Sequence, residues 1–131
     1  MLLQGRVPGN PKLGFEIVDV RDLADLHIRA MTSALAAGER FIAAREFMWM
    51  SEISHELRSH LKESARKVPS RTMPDFLLRL MSFVDPSLRL LTPRLGRKIT
   101  HTSAKAQRLL GWQMRPAVET LADCARSLLA I

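Results

Sequence analysis

In Phe15-Glu16-Ile17-Val18-Asp19-Val20-Arg21-Asp22-Leu23-Ala24-Asp25-Leu26-His27 the hydrophobic period changes within a few residues. Phe15, Ile17, Val18 and Val20 make a short β-branched run without helical period, which predicts a buried strand. From Leu23 onward, Leu23, Leu26, Ala30, Met31 and Ala34 share one face of a helix. Asp22 stands at the boundary as the predicted N-cap, and Gly38 supplies the C-terminal stop. Arg40-Phe41-Ile42-Ala43 then predicts a second strand. Residues 15–43 therefore read as a strand–helix–strand unit of the parallel-sheet kind.

Upstream, Arg6 to Gly14 is a loop punctuated by Pro8, Gly9 and Pro11, and Met1-Leu2-Leu3-Gln4 reads as the tail of a helix. Downstream of Phe47 the pattern is almost wholly helical. Ile53, Leu57 and Leu61 step by four until Val68-Pro69. Pro74 opens a further helix with an apolar face of Phe76, Leu77, Leu80, Met81 and Val84, interrupted at Asp85-Pro86. A short helix-like piece spans Ser87 to Leu95, and Lys98 to His101 predicts a brief strand. Ser103 caps a helix ended by Gly111, with Trp112 placed to fold back. Pro116 starts the last helix, whose Ala117, Leu121, Cys124, Ala125 and Leu128 form a predicted core stripe.

The 131 residues bound the chain to one domain or part of one, too short for a complete two-domain cofactor enzyme. With 47% hydrophobic and 25% charged residues, the composition is that of an ordinary globular protein. No run approaches the roughly 20 apolar residues of a membrane span, and no charged leader precedes a long apolar run. A cytoplasmic location is expected. Cys124, the single cysteine, permits no internal disulfide. The net charge of +7 favours an anionic partner. Its basic residues are spread along the chain, the pattern of a solvated surface, and neither nucleic acid nor membrane is the expected partner.

The residues of several chemistries are missing. His55 and His60 are five apart, so at about 100° per residue they diverge by roughly 140° around a helix and one zinc ion cannot take both. Glu52 and His55 have the spacing of half a di-iron site without the other half. Cys124 is tied to no histidine by any signal. Glycine-rich phosphate loops are absent, as is tyrosine, which removes a phenolic acid or base. No catalytic, cofactor-binding or metal-ligating residue is assigned.

Three segments nevertheless resemble the extended short-chain dehydrogenase/reductase family. They are Val18 to His27, then Gly38-Glu39-Arg40-Phe41-Ile42-Ala43-Ala44, and then Ser103-Ala104-Lys105-Ala106 with Leu109-Leu110-Gly111-Trp112 and Arg115-Pro116. The resemblance implies an α/β chain comprising the C-terminal part of a Rossmann-like parallel sheet, over residues 1–45, and a mostly helical substrate-side subdomain, over 46–131. It implies an NAD(P)-dependent oxidoreductase of the epimerase/dehydratase-like kind whose glycine-rich turn and Tyr-Lys pair lie outside this chain. The cofactor, NAD or NADP, would be held by the intact protein and not by this portion alone.

Family members that act on nucleotide sugars carry an Arg-Asp pair where this chain has Phe15-Glu16. A carboxylate there repels a diphosphate, so the resemblance leans toward the dihydroflavonol and cinnamoyl-CoA reductases. Phe15, Phe47, Met48, Trp49, Met73 and Phe76 are the expected substrate-pocket residues, serving a small-molecule substrate once an N-terminal half completes the site. With sheet neighbours missing, a homo-oligomer is expected. The competing reading is a non-enzymatic interaction or oligomerisation module from a truncated gene.

Overall fold

The computed structural model describes residues 2–3, 8–84, 86–89 and 91–130. The expected helix tail at Met1-Leu2-Leu3-Gln4 and the interruption at Asp85 fall on residues that lie, in part, outside the described ones. The chain is mixed α/β and mostly helical. Its only sheet among the described residues pairs β1 (Gly14–Ile17) with β2 (Glu46–Trp49). Arg45 N donates to Ile17 O at 3.2 Å and Met50 N to Leu13 O at 2.8 Å, so the pair is antiparallel. A parallel bridge also joins Asn10 to Thr72.

This corrects three expectations. The strand at Phe15 to Val20 ends at Ile17, because Asp19 and not Asp22 caps the following helix α1 (Val20–Thr32). Asp19 Oδ1 accepts from Arg21 N at 2.8 Å. The strand expected at Arg40 to Ala43 is unpaired backbone, and the strand falls instead on β2. β2 runs antiparallel to β1, so the described residues offer residues 40–43 no parallel ladder. The brief strand expected at Lys98 to His101 is likewise irregular.

The remaining helices are α2 (Met50–Leu61), α3 (Asp75–Val84), α4 (Pro86–Arg89), α5 (Ala104–Leu110) and α6 (Ala117–Leu129). Glu52 starts α2 by accepting from Trp49 N at 2.7 Å, half of a capping box. Gly111, at φ 60°, ends α5 in the left-handed region as expected. The core stripe of α6 differs from the expected one: Ala117, Ala122 and Ala125 are buried, whereas Cys124 and Leu128 are exposed. Among the described residues no helix is long and apolar enough to cross a membrane.

The chain divides into two compact units. One comprises Met1–Phe15, Met48–Lys98 and Leu121–Ile131; the other comprises Glu16–Phe47 and Ile99–Thr120. The second unit is built on Leu26, Ala106, Leu110 and Trp112, with Phe41, Ala43 and Met114 packed around them. Its Trp112 is 1% exposed and folds back as expected. Arg29 Nη1 donates to the carbonyls of Leu110 and Gly111 at 3.0 and 3.2 Å, satisfying orphan acceptors at the end of α5. In the first unit Ile53 and Leu57 bury one face of α2, and Arg58 Nη1 holds Val68 O at 2.8 Å.

Candidate functional site: a cavity beside Trp49

In the first unit Asn10 is a buried polar hinge. Its Nδ2 donates to Pro69 O at 2.9 Å, its Oδ1 accepts from Ser54 Oγ at 2.7 Å, and its backbone bonds Arg71 O and Met73 N at 2.8 Å each. Every polar group of the residue is engaged, as its 2% exposure requires. A Cβ on Gly9 would stand 3.1 Å from that of Met73, so glycine allows residues 9–10 and 71–73 to lie this close.

Beside this junction lies a cavity of about 410 Å³. Trp49, Met73, Pro11 and Pro74 give it apolar walls, and Lys12, Ser51, Thr72 and Asp75 bring polar groups. Such a site suits a ligand with a flat apolar body and a few polar substituents. Of the six expected pocket residues the cavity takes Trp49 and Met73. Met48 is buried and Phe47 half-buried without lining it, while Phe15 and Phe76 are exposed. Sequence reasoning missed Asn10, Lys12 and Thr72. The Pro8-Gly9-Asn10-Pro11 run marked a loop, but its partner, more than sixty residues on, left no local signal.

The second unit carries the chain's densest ionic cluster among the described residues. Asp22, 6% exposed, accepts from Arg115 N at 2.8 Å, Arg115 Nε at 2.9 Å and Arg115 Nη2 at 2.8 Å. Trp112 Nε1 donates to Asp22 O at 2.7 Å. Arg21 grips Asp19 through Nε at 2.9 Å and Nη2 at 2.7 Å, and Arg115 Nε lies 3.7 Å from the same carboxylate. These partners neutralise each other, which is a structural arrangement, not a poised acid–base pair.

Arg21's side-chain hydrogen bonds hold the Asp19 carboxyl well below its ordinary 3.8; burial opposes them, and the Arg21 amide and Thr120 hydroxyl reinforce them. For Glu16, burial acts upward, but hydrogen bonds from the His101 side chain and backbone outweigh it and lower the pKa. Both groups are depressed in the folded chain. Their contribution to stability is thus complete above the unfolded pKa and is lost as pH falls below about 4. Urea melts of the protein should show stability falling below that pH, with a shallower fall in Asp19→Asn; equal slopes would contradict the role given to Asp19.

Among the described residues no three His, Cys, Asp or Glu side chains gather as a metal site requires. No family model, curated protein or solved structure matches the chain.

Proposed function

We propose that this chain is the C-terminal, substrate-side portion of a cytoplasmic NAD(P)-dependent oxidoreductase of the extended short-chain dehydrogenase/reductase family. One observation carries the reading. The three segments that resemble the family are far apart in sequence yet belong to one compact unit, tied by Trp112 and Arg115 to Asp22 and by Lys105 to Glu39. The Lys105 ammonium also stands 5.5 Å from the Phe41 ring centre. Residues matched for their resemblance thus support one another physically.

The cavity beside Trp49 supports a ring-bearing apolar substrate for carbonyl or alcohol redox, with Lys12 or Ser51 meeting a polar substituent. The described residues do not fit a dinucleotide. At the junction from β1 to α1, where a pyrophosphate would meet helix amides, the Asp19 carboxylate already takes the Arg21 amide. The cofactor turn and proton-transfer groups therefore belong to an N-terminal portion, whose parallel sheet Phe41 to Ala44 would join.

α1 supports the same reading and also the rival one. Val20, Ile28 and Met31 on its outer side are 75, 61 and 85% exposed, and Leu35 just beyond it is 61% exposed. A helix apolar on two sides is normally covered on both. The N-terminal portion would cover this stripe, and a second copy would take its place when the chain stands alone. Light scattering coupled to size exclusion should therefore report a dimer or larger species; a stable monomer at high concentration would contradict that covering. The DNA upstream of Met1 tests the whole proposal: a frame encoding a glycine-rich turn and a Tyr-Lys pair supports it, and unrelated sequence favours the interaction module.

A further inference from the structure

We propose that the outward face of α3 docks on a bilayer containing anionic phospholipid. The helix carries large apolar side chains on its exposed face. Phe76, Leu77, Leu80 and Phe83 are 69, 36, 61 and 76% exposed, whereas Leu78 and Ser82 are 3 and 8% exposed. At about 100° per residue, Phe76, Leu80 and Phe83 fall within roughly 60° of one another, with Leu78 and Ser82 on the other side. The buried Ser82 hydroxyl is satisfied within the helix, donating to Arg79 O at 2.6 Å. Leu78 and Ser82 face inward, and the exposed face of Phe76, Leu80 and Phe83 is left to meet something else.

Charge identifies the occupant. Residues 62–98 hold nine Lys and Arg against three Asp and Glu, so they carry six of the chain's seven net positive charges. Among the described residues no ion pair shown uses a cation between Lys62 and Arg97. Lys98 apart, these cations form a basic segment that an external anion can meet. Arg79 and Phe83 both line a groove of about 410 Å³, together with Ser82, Thr92 and Pro93. Arg89 Nε donates to Ser82 O at 3.0 Å, which brings a second guanidinium to the same end of α3.

Rings and leucines flanked by guanidinium groups match the boundary between acyl chains and anionic headgroups. An apolar protein surface would take the rings and leave the charges unmatched; nucleic acid would take the charges and leave the rings in water. This departs from the expectation of no membrane partner, since hydropathy registers a span and not a helix lying in the interface. It stands independently of the family reading.

Co-sedimentation with phosphatidylcholine vesicles, with and without phosphatidylserine, tests the proposal. The protein should pellet with the phosphatidylserine vesicles, and far less so at high salt. Phe76→Ser combined with Phe83→Ser should weaken partitioning about tenfold or more, and Arg79→Glu should weaken it too. Leu128→Ser, on the exposed side of α6, should leave binding unchanged. All replaced side chains are exposed, and melts of each variant confirm folding. Equal binding to both vesicle types, binding to neither, or binding indifferent to the Phe76 and Phe83 changes would overturn the proposal. So would duplex DNA displacing the vesicles. The unmodified protein's choice between the two vesicle types decides the matter even if a variant fails to fold.

Discussion

Replacing Trp112 by alanine is expected to lower stability by about 3–5 kcal/mol, the usual cost of emptying a buried aromatic site. Trp112 is 1% exposed at the centre of the cluster with Leu26, Ala106 and Leu110, and its indole donates to Asp22 O. Truncation leaves a cavity and also removes the indole's hydrogen bond to the Asp22 carbonyl. In thermal denaturation the loss should appear as a fall in Tm on the order of 10 °C. Trp112→Phe keeps most of the volume and removes the donor, so it should lie between the two. A loss below about 1 kcal/mol for Trp112→Ala would mean that this unit does not close around the indole.

Asp22→Ala carries the second large effect. As the helix cap expected from its place in the sequence, Asp22 would be worth about 1 kcal/mol. The cap is Asp19 instead, and Asp22 is a buried acceptor for the Arg115 amide and guanidinium. Its removal leaves that amide without its partner and the Arg115 guanidinium, 29% exposed, with only the Asp19 carboxylate at 3.7 Å. We expect a loss of about 2–3 kcal/mol, reduced from the fully buried case by the exposure of Arg115. A double-mutant cycle with Arg115→Ala separates the two accounts. Strong coupling follows from the pairing, and additive losses would return Asp22 to the role of a simple cap.

Much of the local architecture was legible because its signals are local. Gly111 as a left-handed stop, Pro116 before the last helix and the Ile53–Leu57 face of α2 are all set by residues within one turn of where they act. The strand–helix order after Phe15 was legible for the same reason, although the boundary moved three residues. Two aspartates of equal capping propensity stood three apart; both are buried, and the distant Arg115 engages Asp22 while Asp19 caps the helix. β2 was missed because Glu46-Phe47-Met48-Trp49 shows no clean alternation; its partner Gly14–Ile17 supplies the pairing.

The candidate site was legible in its apolar part alone. Trp49 and Met73 stood out as residues that could line a pocket, but Asn10, Lys12 and Thr72 act through contacts between distant loops. Of the apolar face expected on α3, Phe76, Leu77 and Leu80 are exposed, while the side chains of Met81 and Val84 lie outside the described ones; periodicity records that a face exists and not which way it turns. Tertiary packing turned it outward: Leu78 and Ser82 went inside.

Calorimetric titration with NADH and NADPH, run on this chain and on the protein encoded by the frame extended upstream, tests the family proposal most directly. A chain whose strand-to-helix junction is capped by Asp19 should give no binding heat, and the extended protein should bind one of the two cofactors at micromolar concentration. Micromolar binding by the chain alone, or none by the extended protein, would contradict the account.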